Sequence, residues 1–131
     1  MSKYTTGELA KLCGVTVRTV QYYDTRGILI PSELSEGGRR LYTDADVRRL
    51  RIICFLRDMG LPIDAISRLL AEPEPGRVVD LLLEQQEQAV RQELEQSRSR
   101  LEKLEALRRQ VRQQEPFSVD SIGDIAYLME R

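Results

Sequence analysis

From Arg77 to about Gln114 the chain contains neither proline nor glycine, so nothing interrupts a helix there. Leu83, Val90, Leu94, Leu101, Leu104 and Val111 recur in steps of seven and of three or four. Glu87, Ser97 and Arg108 fall on the same seam, and Arg, Glu and Gln fill the other faces. A lone helix this long and polar is marginal in water. A narrow seam of this period is buried most economically in a two-stranded coiled coil. The seam residues are therefore assigned to dimerisation. Their spacing leaves parallel and antiparallel arrangements both open.

The rest must supply a small core. At 131 residues there is room for one globular domain plus an extension. The chain is 31% charged and 5% aromatic, with no Trp and no His, which favours exposed helices over a large interior. Net charge is −1, but it is unevenly distributed. Residues 1–71 carry 11 basic against 8 acidic side chains; residues 72–131 carry 9 against 13. A basic front and an acidic back suit a nucleic-acid-facing head and a solvated stem. No apolar run reaches the ~18 residues of a membrane span, and no secretory leader pattern is visible at the N-terminus. No membrane contact is expected.

Along the front half, Thr5 or Thr6 can cap a first helix to about Leu12, with Leu9, Ala10 and Leu12 inward. Gly14 supplies the turn. Thr16 then caps a second helix to about Asp24, with Val17, Val20 and Tyr23 facing the core. Gly27 stops it, and Ile28-Leu29-Ile30 before Pro31 reads as a short strand. Arg40-Leu41-Tyr42 reads as a return strand. Thr43-Asp44-Ala45-Asp46 resembles a capping box opening a third helix, in which Val47, Leu50, Ile53, Cys54 and Met59 recur before Gly60. Pro62 fits the first turn of a fourth helix, with Ile63, Ile66, Leu69 and Leu70 buried. The run 72–76, Glu-Pro-Glu-Pro-Gly, marks a domain boundary. Beyond Pro116, Ser121 and Asp124 can open a last short helix, which ends without a C-cap, as in a fragment of a longer chain.

The expected organisation is thus all-α dominated. A winged helix-turn-helix head with a small β wing spans 1–72, a coiled-coil helix 77–114, and a short segment 115–131. A helix-turn-helix followed by a basic wing is a device for reading duplex DNA. On the second helix, Arg18 can hold guanine bidentately, Gln21 can hold adenine, and Thr19 can touch a thymine methyl or a phosphate. Thr16, at the start of the same helix, joins this DNA-facing set. Neighbouring helical residues point about 100° apart, so Tyr22 is assigned to phosphate and Tyr23 to a mixed role. Gly37-Gly38-Arg39-Arg40-Leu41-Tyr42 forms the wing, whose arginines suit phosphate or minor-groove contact and whose Tyr42 is counted with the DNA-facing residues. Arg48, Arg49 and Arg51 read as a solvated face. Arg57 stands near a helix end, where it can stabilise the C-terminus or reach phosphate.

Catalysis has no foothold: the sequence has no His base, no nucleophile elbow and no phosphate loop with lysine. Cys13 and Cys54, without His or a third thiol, make a poor metal site and read as small buried hydrophobes in a reducing compartment. No cofactor or metal is expected.

The ordered set Glu8-Leu9-Ala10, Gly14-Val15, Thr19-Val20, Tyr22-Tyr23-Asp24, Gly27-Ile28-Leu29 and Pro31 resembles the MerR family of bacterial transcription regulators. Gly38, Arg40, Tyr42, Asp46-Val47, Leu50, Leu56-Arg57 and Gly60 continue it, so the likeness covers Tyr4 to about Leu70. Gln21 departs where the family usually has Arg, and Arg39 where it usually has Tyr. The resemblance implies a homodimer joined by an antiparallel coiled coil. It would bind an inverted-repeat promoter and distort it so that RNA polymerase, an indirect partner, can use both promoter elements. It also implies that Tyr22, Tyr23, Arg40 and Arg57 clamp phosphates, and that the protein is cytoplasmic and nucleoid-associated. Two alternatives remain from the sequence: a thiol-responsive version of this regulator, and a coiled-coil module whose head binds protein.

Overall fold

The computed structural model describes residues 2–130. In chain order the elements are β1 (Lys3–Tyr4), α1 (Thr6–Cys13), α2 (Val17–Thr25), β2 (Glu33–Leu34), β3 (Arg40–Thr43), α3 (Asp44–Asp58), α4 (Ile63–Ala71), α5 (Pro75–Gln113) and α6 (Asp120–Met129). The fold is helix-dominated with a small wing, as the sequence suggests. By contacts the chain forms two compact units, one reaching to Gln86 and one starting at Glu87. The first turns of α5 therefore belong with the head.

Helix starts follow side-chain chemistry. Thr5 accepts from the Glu8 backbone N–H, and Glu8 accepts in return from the Thr5 N–H at 2.9 Å. The Thr5 backbone N–H first, and then the Thr5 side chain, hold the Glu8 carboxyl below its usual range. Thr43 and Asp46 form the anticipated box at α3. Asp46 is buried, and also accepts from the Ser32 hydroxyl at 2.6 Å, fastening the approach to the wing onto α3. Pro62 stands just before α4 as its N-cap, whereas Pro75 is the first residue of α5. At α6 the expected Ser121 start is not used: the helix opens at Asp120, whose N–H donates to Ser118 Oγ.

The sheet order is β1-β3-β2, antiparallel throughout, with Tyr4 opposite Tyr42 and Glu33 opposite Leu41. β1 has no counterpart in the sequence reading. Conversely, Ile28–Ile30 is not a strand. Gly27 is left-handed at φ 74°, and the N–H groups of Ile28 and Leu29 both donate to the Tyr23 carbonyl. Those donors close the end of α2 and are lost to a ladder, while Ile28 and Leu29 still bury their side chains.

The head core gathers around Leu9, Val20, Leu29, Tyr42, Leu50, Ile53 and Ile66, all fully buried. Leu12 and Val17 are exposed, against expectation. Each sits roughly 90–110° around its helix from the buried stripe, too far to share it. Ile63, Leu70, Cys54 and Met59 are only partly buried at the core's edge. Leu83, expected on the dimer seam, is partly buried against this core with Val78, Val79 and Leu82. Tyr42, expected to face DNA, is 0% exposed, and its hydroxyl makes no hydrogen bond. Burial first, then the nearby Asp24 carboxylate, raises its pKa, while the Thr6 side chain opposes the rise from a position outside hydrogen-bond geometry. Tyr42 shares its face of β3 with Arg40; that face packs into the core at Tyr42 and reaches the exposed edge at Arg40, which pairs with Asp24.

Two stability outcomes follow from these positions. Tyr42→Phe removes a buried hydroxyl without a partner, and should raise stability to urea by about 1 kcal/mol; a clear loss would mean the hydroxyl is satisfied. Gly60 has φ 92°, and a Cβ there would lie 2.3 Å from Gln86 Nε2. The amide end of Gln86 can swing away, so Gly60→Ala should cost about 1–2 kcal/mol, mostly from the backbone. An unchanged unfolding midpoint would contradict that.

Candidate nucleic-acid interface

The second helix, α2, is fixed in rotation by burial of Val20 and Tyr23. Its start is fixed by Thr16, whose Oγ1 accepts from the Thr19 N–H at 3.1 Å and shares a 2.9 Å hydrogen bond with the Thr19 hydroxyl. Thr16 therefore spends its side-chain oxygen on the helix. Thr19, half-buried, keeps its methyl for contact. Arg18 and Gln21 project outward on the opposite side. Among the described residues, Arg18 makes no ion pair and is available to an incoming anion.

The two tyrosines divide as the helical angle requires. Tyr22 is 48% exposed, whereas Tyr23 is 7% exposed. Their ring centroids lie 5.8 Å apart at 54°, a tilted aromatic contact. Burial raises the Tyr23 pKa, and Arg57 opposes that rise through its charge and a hydrogen bond. The Tyr23 hydroxyl thus stays neutral, a donor at the rim of the core.

Both roles that its position allows Arg57 stay open. Its Nη1 donates to the Leu61 carbonyl at 3.1 Å, closing the turn between α3 and α4. It also lines a surface cleft of about 430 Å³ with Arg18, Thr19, Tyr22, Tyr23 and Ile63. Two guanidiniums and two phenol rings from α2 and α3 thus share one open concavity. Cationic forks beside hydroxyl donors are what a phosphate oxygen needs for charge-assisted hydrogen bonds.

The wing differs from expectation in one respect. Arg39 lies at the hairpin tip, where its N–H donates to Ser35 Oγ and its carbonyl accepts from the Ser35 N–H. Gly38, at φ 78°, takes the left-handed step that closes the loop. The Arg39 guanidinium has no partner among the described residues. Arg40 instead pairs through Nε with Asp24, whose side chain is 16% exposed. That pair fastens the wing strand to the end of α2, so Arg40 is in part a strut; only its terminal nitrogens remain for phosphate.

Sequence reasoning missed Arg26 and Asp64. Arg26 pairs with Asp64 of α4, and its guanidinium carbon lies 5.8 Å from the Tyr22 ring centroid. The i,i+4 spacing of Tyr22 and Arg26 was a usable signal. Nothing local points to Asp64, 38 residues away. Arg49, read as solvated, donates to the Ile28 carbonyl at 2.7 Å.

The cysteines are partly buried. Cys13 Sγ lies 3.9 Å from the Val47 carbonyl oxygen. Burial raises both thiol pKa values, most directly disfavouring the reactive thiolate. Among the described residues, no cluster of three His, Cys, Asp or Glu side chains could hold a metal ion, and no helix is long and apolar enough to cross a membrane.

Along α5 no residue is buried. Val90, Leu94, Leu101, Leu104 and Val111 leave 39–65% of their surface in water. Arg98 makes ion pairs with Glu95 and Glu102 on the same helix.

Comparison with known proteins agrees with this geometry. The family model described as "MerR HTH family regulatory protein" matches residues 4–73. The HTH-type transcriptional activator TipA of Streptomyces coelicolor is 49% identical over 70 residues, covering 53% of this chain and 28% of that protein. The chain thus spans under a third of that relative's length. The HTH-type transcriptional regulator ZntR of Escherichia coli K12 is 31% identical over 109 residues, covering 81% of this chain and 74% of that one. Among solved structures, HiNmlR, described as a MerR family regulator lacking the sensor domain and bound to promoter DNA, has a TM-score of 0.58. It is 25% identical, with 80% of this chain and 83% of that chain covered. The chain belongs to the MerR family of helix-turn-helix regulatory proteins, a family of transcriptional regulators and not of enzymes.

Proposed function

We propose that this chain is a sequence-specific transcriptional regulator that binds an inverted-repeat promoter as a homodimer and distorts the duplex. The observation that carries the reading is the cleft that joins Arg18, Thr19 and Tyr22 of α2 to Arg57 of α3. A neighbour of the same fold bound to promoter DNA supports the same partner. In this reading Arg18, Thr19 and Gln21 face base edges. Tyr22, Arg57 and Arg39 meet phosphates, Arg40 meets them with its terminal nitrogens, and Thr16 and Tyr23 hold the helix that presents the others. The working division is a DNA-binding head at 1–72, a dimerising stem at 77–114, and a C-terminal segment at 115–131.

The dimer rests on the apolar seam. Burying what is still exposed of each Val and Leu side chain from Val90 to Val111, roughly half of its surface, favours association by about 1 kcal/mol apiece. A second copy of the same seam is the partner of matching period, and an antiparallel pairing would set two heads on the two halves of an inverted repeat. Distorting the promoter between them costs a few kcal/mol, offset by contacts from both heads. RNA polymerase is then an indirect partner, acting on the reshaped promoter, and the site of action is the cytoplasm, on the nucleoid.

Two measurements test this. Affinity for a palindromic promoter duplex, selected from random sequence, should fall steeply as salt rises, with a log–log slope of about −0.9 per neutralised phosphate. Arg18→Ala should weaken selected sites by ~1–3 kcal/mol and relax base preference; equal affinity for scrambled duplex would refute sequence-specific binding. Leu94→Glu combined with Leu101→Glu should give monomers in sedimentation equilibrium and lose tight palindrome binding. A dimer unaffected by both charges would place the interface elsewhere.

A further inference from the structure

Arg26 is placed between two helices with different tasks. Its guanidinium pairs with Asp64 near the start of α4 and lies 5.8 Å from the centroid of the Tyr22 ring. Tyr22 lines the cleft with Arg18 and Arg57. Arg26 itself is not among the residues lining that cleft. Its charge is already engaged by a carboxylate, while that of Arg18 is not. Those differences separate a group that holds a contact from a group that makes one.

We propose that Arg26 is a positioning residue for DNA binding: anchored by Asp64, it fixes the Tyr22 ring at the edge of the cleft. An exposed tyrosine on a helix surface otherwise samples several rotamers, and ordering it on binding costs affinity. A cation near the ring favours one of them, because the ring quadrupole attracts it. Asp64 opposes any swing of the guanidinium toward phosphate. The arrangement also ties α2 to α4. At the start of α4, Leu61, Pro62, Asp64 and Ala65 line a groove with Leu82 and Gln86 of the first turns of α5.

This inference rests on the DNA-binding reading, and the test separates the two. Fluorescence anisotropy with the full chain and its selected duplex would compare wild type with Arg26→Gln, Arg26→Lys, Tyr22→Leu and the double variant Arg26→Gln/Tyr22→Leu. Circular dichroism melts would confirm that each variant folds. Arg26→Gln should bind about two- to five-fold more weakly per head, the size of an exposed cation–π contact. Its salt slope should match wild type, since no phosphate contact is lost. Arg26→Lys should retain most of the affinity, and the double variant should bind no more weakly than Tyr22→Leu alone. A slope reduced by about 0.9 per head, or additive losses in the double variant, would make Arg26 a direct phosphate contact and overturn the proposal. Wild-type affinity in Arg26→Gln would overturn it too, while leaving the DNA-binding reading intact. A wild type without salt-dependent duplex binding would remove both.

Discussion

The rotation of α2 is the constraint on which the rest of the head depends. Val20 and Tyr23 are committed to the core, and Thr16 pins the first turn. With 3.6 residues per turn, burying one stripe of a nine-residue helix leaves no freedom for the opposite stripe. Arg18, Gln21 and Tyr22 are outside because Val20 and Tyr23 are inside. The turn after α2 adds a second lock, since two N–H groups converge on the Tyr23 carbonyl. The polar face is therefore held rigid before any ligand arrives, which lowers the ordering cost of binding.

Around that helix the charged groups divide into those consumed by the fold and those left for a partner. Arg40 pairs with Asp24, Arg26 with Asp64, and Arg49 with a backbone carbonyl. Surface ion pairs of this kind add little net stability. Their use is orientation: each ties α2 or the turn after it to the wing, α4 or α3. Arg18 and Arg39 remain without partners among the described residues. The head's net positive charge is thus less telling than where its uncommitted charge stands.

Much of this was legible in the sequence. The Thr43–Asp46 box, the long helix, the Gly14 turn and the polar stripe of α2 all follow from local rules of capping, period and backbone freedom. The misreadings share one cause. Ile28–Ile30 has the composition of a strand, yet the N–H groups of Ile28 and Leu29 are claimed by the Tyr23 carbonyl. Tyr42 closes the basic wing run, yet the packing of β3 on the head buries it in the core. Leu83 keeps the period of the seam, yet part of its surface packs against the head core. In each case a residue with two suitable partners went to the one that three-dimensional packing brought nearer.

The sequence by itself determined the helical period, the caps and the breaks, because these depend on neighbours within four residues. It also determined that the stem carries an apolar stripe too narrow for a core and too regular for a solvated helix. Only the tertiary structure decided which arginines are spent and which are free, because Asp24 meets Arg40 across 16 residues and Asp64 meets Arg26 across 38. Only it brought Arg57 to the α2 tyrosines. Electrostatic partners are chosen by distance in space, and sequence spacing reports that distance only within a single helix or hairpin.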